Sequence, residues 1–151
     1  MDFTVILRRL RSWCAAWFQK WFGVEGSGNR ALGARGERTA ARFLRRKGYR
    51  MLLHGFQTAQ GEIDLIARDG DTLVFVEVKS RRVGEPAEAV TSEKQRRITR
   101  AALQFLKRHG LLEQRCRFDV ITIVWGDGHQ KPIIQHFPDA FEATGRGQMF
   151  S

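Results

Sequence analysis

The sequence predicts a mixed α/β domain, a β-sheet flanked by helices, behind an N-terminal amphipathic helix appendage. Three observations predict it. Two segments, 34–47 and 92–108, repeat apolar residues at helical spacing. Five shorter runs are rich in Val, Ile, Leu and Phe. Asp69-Gly70 and Asp127-Gly128 stand between neighbouring runs, where a hairpin would turn. The 151 residues suit one domain with an appendage, and 42% hydrophobic against 28% charged residues excludes a disordered chain.

The elements follow in order. In residues 1–25, Phe3, Ile6, Leu7, Leu10, Trp13, Cys14, Trp17, Phe18 and Trp21 form an apolar stripe, with Arg8, Arg9, Arg11 and Lys20 mostly off it. Three readings of this extension stay open. It packs on the domain or on a second copy of the chain, it lies on an anionic membrane surface, or it is a cleaved signal. The arginines that interrupt any apolar run weigh against the last. Residues 26–33 are glycine-rich and read as a linker. The main globular domain is expected over 34–138 and a tail over 139–151. The first helix (34–47) buries Ala40, Ala41 and Leu44 and stops at Gly48. Strands are expected at 49–53, 63–67 and 73–78. A capping box of Ser92 and Gln95 opens the second helix, whose buried stripe is Ile98, Ala101, Ala102, Phe105 and Leu106. His109-Gly110 ends it, and strands at 117–125 and 132–137 follow.

Charge speaks to partners. Twenty-six Lys and Arg against 16 Asp and Glu leave a net charge of +10. That balance fits a polyanion, with nucleic acid first and an anionic membrane second. Arg far outnumbers Lys, and its planar fork matches phosphate oxygens. Cys14 and Cys116 form neither a CxxC pair nor a zinc spacing, which fits free thiols in a reducing compartment such as the cytoplasm. No uncharged apolar stretch reaches the roughly 18 residues of a membrane span.

One constellation carries chemistry. Glu77 and Lys79 share a strand face, and Val74, Val76 and Val78 take the other, the natural core face. With a two-residue loop at Asp69-Gly70, Asp64 falls opposite Phe75 and diagonal to Glu77, about 7–8 Å away. A four-residue loop keeps that parity and a three-residue loop breaks it. Two carboxylates on one face suit Mg²⁺ or Mn²⁺, hard ions that prefer oxygen. The Val78 carbonyl is a further candidate ligand. Lys79 is placed to orient a water or to stabilise phosphorane charge. Glu37 precedes Ala40, Ala41 and Leu44 at helical spacing, so it lies in the apolar stripe, where an ionised carboxylate is costly unless paired or metal-bound. Against this stand two bland readings: a first-turn Glu favoured by the helix dipole, and a solvated strand face with a cross-strand ion pair.

These residues resemble a known pattern. GEIDLI (Gly61–Ile66) followed by VFVEVKSR (Val74–Arg81) resembles the signature of the restriction-endonuclease-like PD-(D/E)xK nucleases. With GARGERTAARFL (Gly33–Leu44) before and KQRRI (Lys94–Ile98) after, the chain is similar to the YraN-like predicted endonucleases, which in turn resemble Holliday junction resolvases. The resemblance covers roughly Leu32 to Pro138. It implies a restriction-endonuclease-like core, metal ligation by Asp64 and Glu77, Lys79 as the catalytic lysine, and an acidic contribution from Glu37. It places Lys94 and Gln95 near the active face. Nucleic-acid contacts are expected from Arg35, Arg38, Arg81, Arg82, Lys94, Gln95 and Arg97. The family usually has an Asn shortly before GEIDLI, where this chain reads His54-Gly55-Phe56, and residues 1–30 have no counterpart in a typical member.

The remaining candidates are weaker. The four histidines have no ligand or triad spacing and read as structural or exposed. Asp119 is either a buried anchor or a strand-start residue. There is no P-loop, no dinucleotide fingerprint and no zinc motif. The reaction class that fits is hydrolysis of DNA phosphodiesters by a metal-dependent endonuclease, selective for branched DNA or ends. A resolvase-like cut of two strands implies a homodimer. The alternatives are a non-catalytic nucleic-acid-binding module and a membrane-surface adaptor acting through residues 1–25.

Overall fold

The computed structural model describes residues 28–144, so the amphipathic extension expected over 1–25 lies outside the described residues. The chain runs α1 (Gly28–Arg46), β1 (Arg50–Thr58), β2 (Gly61–Asp69), β3 (Thr72–Arg82), α2 (Ser92–His109), β4 (Cys116–Trp125) and β5 (Ile133–Phe141). The strands form one five-stranded sheet in sequence order. β3 and β4 are parallel and the other neighbours antiparallel, with α2 as the crossover a parallel pair needs. This is a mixed α/β fold, consistent with a restriction-endonuclease-like core. No helix among the described residues is long and apolar enough to cross a membrane.

Several local expectations are corrected. α1 begins at Gly28, so the part of the glycine-rich 26–33 segment from Gly28 onward is helix and not linker. Glu37 therefore lies well past the first turn, which holds no acidic residue, and the helix-dipole reading falls. β5 reaches Phe141, into the segment expected as tail. The N-cap of α2 is Thr91, whose hydroxyl accepts from the Lys94 N–H. Gln95 does not close a capping box; its amide donates to the Val90 carbonyl at 3.0 Å.

Both faces of the sheet are covered. α1 buries Ala40, Ala41 and Leu44 against Leu65, Ala67, Val74, Val76 and Ile121. α2 buries Ile98, Ala101, Ala102, Phe105 and Leu106 against Ile66, Leu73, Phe75 and Phe118. The face opposite Val74 and Val76 is thus also core, and Phe75 is as buried as they are. A strand sandwiched this way gives no solvated side to a charged residue.

The β2–β3 turn falls at Gly70-Asp71, one residue later than expected, with Asp69 paired to Thr72 and Gly70 at φ +56°. The register therefore moves by two residues, and the parity of Asp64 and Glu77 survives. Pairing of β2 with β3 ends at Leu65↔Val76, although both strands continue. Beyond that pair β2 follows β1 to Thr58↔Gly61, while β3 follows β4 to Arg82↔Trp125. The sheet forks there, and Asp64 and Glu77 are the first residues past the fork. The alternation of β2 also breaks at Asp64: Leu65 and Ala67 face α1, but Ile63 packs with Ile66 in the α2 cluster. Gly55 lies opposite this break and has φ +66°. Glycine enters that left-handed region freely and Asn is among the few other residues that do, so a glycine in His54-Gly55-Phe56 meets a backbone demand that an Asn also meets.

Candidate active site

The fork brings carboxylates together because neither strand can pair its way past them. Asp64 Oδ2 accepts from the Val78 N–H at 2.7 Å. The Asp64 and Glu77 carboxyls are neighbours close enough for each to shift the other's protonation. Glu77 is only 4% exposed, and its Oε2 is buried without a hydrogen-bond partner. Its other oxygen, Oε1, lies between two ammonium groups, Lys94 Nζ at 3.6 Å and Lys79 Nζ at 3.7 Å. Lys79 also reaches Glu88 at 3.8 Å, and Lys94 reaches Glu62 at 3.7 Å. Glu37 comes from α1 and lines a small recess with Glu62 and Asp64.

The electrostatics follow from burial. Desolvation, then the charge of Asp64, pushes Glu77 up to about 8, against the pull of Lys94 and Lys79. Desolvation, then Asp64, Glu62 and Glu77, pushes Glu37 up to about 8. Asp64 is raised by burial, offset in part by the Val78 N–H and by Lys94. Glu37 and Glu77 thus hold protons near neutral pH unless a cation displaces them.

That donor set fits a hard divalent cation. Among the described residues no group of three or more His, Cys, Asp and Glu is arranged to hold a metal ion. Mg²⁺, however, is typically held by one or two carboxylates, with waters and substrate oxygens completing its shell. Two adjacent, charge-frustrated carboxyls and the partnerless Glu77 Oε2 meet that description. Val78, expected as a carbonyl ligand, takes part through its N–H to Asp64.

Of the residues expected from the sequence, Glu37, Asp64, Glu77, Val78, Lys79 and Lys94 come together at the fork. Lys94 is more central than expected, since it touches the carboxylates themselves. Arg35 stacks on Trp125 with 3.9 Å between guanidinium carbon and ring centroid, and Trp125 Nε1 donates to Ser80 Oγ, so Arg35 sits beside the end of β3. Arg38 is exposed and pulls the Glu37 pKa down slightly. Arg81 and Arg82 are engaged with Glu85: Arg81 donates to its carbonyl at 2.7 Å and the Arg82 N–H to its carboxylate at 2.7 Å. Arg97 pairs with Glu93 at 2.8 Å. Sequence reasoning passed over Glu62, although it stands two residues before Asp64 within GEIDLI, and passed over Arg96 and Arg100 as site residues.

Two other residues are settled. Asp119 is fully buried and accepts from Arg117, His136 and the Asp139 N–H, so it is an anchor and not a strand-start residue. Cys116 is a free cysteine, and burial pushes its thiol up to about 12.

Residues 36–123 match the family described as Uncharacterised protein family UPF0102. A UPF0102 protein of Anaeromyxobacter dehalogenans is 46% identical over 127 residues, covering 82% of this chain and 93% of the relative. One from Geobacter sulfurreducens is 51% identical over 119 residues, 76% of this chain and 91% of the relative. One from Rhodococcus jostii is 51% identical over 116 residues, 75% of this chain and 98% of the relative. With the match running through α1, the fork and most of β4, the chain belongs to the UPF0102 family, the YraN-like family that its GEIDLI and VFVEVKSR segments resemble.

Proposed function

We propose that the protein is a metal-dependent endonuclease that hydrolyses DNA phosphodiesters, with Mg²⁺ or Mn²⁺ held by Asp64 and Glu77. One observation carries the reading: the buried Glu77 carboxyl and the half-buried Asp64 carboxyl meet at the sheet fork with a Glu77 oxygen left unpartnered, beside the Lys79 ammonium. A bound divalent ion would supply Lewis acidity toward a phosphoryl oxygen and its water. Lys79 Nζ then orients the attacking water and opposes the charge that grows on the phosphate. Once its own proton has been displaced by a bound cation, Glu37 is suited to take the proton of the attacking water. Lys94 lies between Glu77 and Glu62 and can turn to a phosphate when a strand is bound. Cutting both strands of a branched substrate calls for two copies of the site, hence a homodimer on DNA, working in the cytoplasm.

A second reading has an observation of its own. Two lysines flank Glu77 Oε1, and their charges also suit a nucleic-acid-binding module that keeps the fold and cuts nothing. Incubating the protein with Mg²⁺ or Mn²⁺ and branched, flapped, single-stranded or duplex DNA, beside Asp64→Ala and Lys79→Ala, separates the two. Cleavage by wild type that both variants lose supports the nuclease, and branched or flapped DNA cut ahead of duplex supports structure selectivity. Equal trace cleavage by all three removes the nuclease, and binding kept by all three without cleavage leaves the module.

A further inference from the structure

A groove of about 900 Å³ lies beside the fork, between the β1–β2 turn and the first turns of α2. The two elements come this close because residue 61 is glycine. A Cβ there would stand 2.5 Å from the Arg97 carbonyl oxygen. The helix wall carries Lys94, Arg96, Arg97 and Arg100. Lys94, Arg97 and Arg100 recur every three residues and so share one side of the helix, with Arg96 one turn before Arg100. At about 1.5 Å rise per residue, Lys94 to Arg100 spans about 9 Å. A DNA strand carries one charge per about 3.4 Å of axis, so the row matches two or three phosphates.

The charges in this row are incompletely balanced. Arg97 is held by Glu93, but neither Arg96 nor Arg100 pairs with a carboxylate among the described residues, and both are exposed. Like charges one turn apart repel unless an anion intervenes. Among the described residues no aromatic side chain lines the groove, so these offer nothing for bases to stack on. Contacts to sugar-phosphate position a nucleic acid without reading its sequence. The near end of the row is Lys94, 3.6 Å from Glu77.

We propose that this groove is a phosphodiester-backbone subsite, in which Arg96, Arg97 and Arg100 seat consecutive phosphates of one strand and deliver it to Lys94 at the edge of the carboxylates. It rests on the nucleic-acid reading above and is independent of whether the site cuts. Lys94 then exchanges Glu77 and Glu62 for a phosphate as the strand arrives.

Fluorescence anisotropy in EDTA, with the full chain and a short labelled duplex or the same strand alone, tests the subsite without cleavage. The variant is Arg96→Gln/Arg100→Gln. The charge-matched control is Arg42→Gln/Arg46→Gln, two exposed arginines on α1, across the sheet. Loss of two contacts makes the slope of log K against log salt shallower by about 1.8 on duplex and about 1.4 on single strand. The control keeps the wild-type slope. Equal weakening of variant and control would show a net-charge effect and overturn the subsite, as would an unchanged groove variant or a wild type that binds neither probe. If the expected split appears while the Mg²⁺ assays show no cleavage, catalysis alone is lost.

Discussion

Lys94 Nζ lies 3.6 Å from Oε1 of Glu77, joining the second helix to the central strand at the point where the sheet forks. The contact lowers the cost of a buried carboxylate but does not remove it, since Glu77 and Glu37 are both pushed from 4.5 up to about 8. Below pH 4.5 folded and unfolded chains both hold these protons. Between 4.5 and about 8 the unfolded chain has given them up and the folded chain has not, so the folded state binds more protons and stability falls as pH rises through that window. Thermal melts in EDTA should therefore show a lower Tm near pH 8 than near pH 5 by way of these two groups. Mg²⁺ binds the ionised form, so its stabilising effect should grow over the same window. A Mg²⁺ shift in Tm that is the same at both ends would contradict this.

Glu77→Gln keeps the size of the side chain and removes the charge that burial and Asp64 disfavour. In EDTA above about pH 8 the variant should melt higher than wild type, because nothing buried remains to be ionised at residue 77. It should also lose most of the Mg²⁺-induced rise in Tm. Calorimetry with and without Mg²⁺ checks both at once. A variant less stable than wild type at high pH would mean that Glu77 is held mainly by its lysines and not frustrated by Asp64.

Much of this arrangement was legible in the sequence. Helical spacing and the Asp-Gly pairs placed every element of the sheet in order, and the parity argument put Asp64 and Glu77 on common ground even though the turn lies at Gly70-Asp71. Parity survived because the slip moved the register by two residues. Three things were not legible. Alternation in β3 identified one buried face but could not reveal that α2 covers the other, so Glu77 read as half-solvated. The glycines of residues 28–33 signalled a linker because composition carries no information on whether a helix has something to pack against. The meeting of Lys94 with Glu77 depends on how α2 lies across the fork, which no local pattern encodes.

Gly36→Ala sets two magnitudes against each other. Alanine gains about 1 kcal/mol of helix propensity over glycine. Its Cβ, however, would stand 2.7 Å from the Ser80 Cβ and 2.8 Å from Ser80 Oγ, and that hydroxyl is fixed by the Trp125 indole at 2.7 Å. Overpacking of this kind costs about 1–3 kcal/mol, so the net effect is a loss of up to about 2 kcal/mol. Urea unfolding should show a lowered midpoint with an unchanged slope, and Gly36→Ala/Ser80→Gly should recover most of it. An Ala variant more stable than wild type would mean that α1 moves away from β3 at little cost.

Asp119→Ala should be the most destabilising of these changes. The side chain is completely buried and takes Arg117 Nε at 2.9 Å, His136 Nε2 at 2.8 Å and the Asp139 N–H at 3.0 Å. Arg117 goes on to Asp69 at 3.0 Å and to the Tyr49 hydroxyl at 2.7 Å, so one carboxylate links β4 to β2, to β5 and to the residue that enters β1. It also steadies Asp139, which alone among the described non-glycine residues has a positive φ, at 51°. Removing it leaves Arg117 and His136 short of a partner in the interior, and breaking a buried pair in this way costs about 3–5 kcal/mol. The network faces α1 through Tyr49 and Phe43, whose rings meet His136, at the opposite end of that helix's packing from Gly36 and Ser80. Cleavage or binding per folded molecule should accordingly be unchanged, while the urea midpoint drops steeply. A loss below about 1 kcal/mol would show that Asp119 is replaceable and that packing alone holds β5 to the sheet.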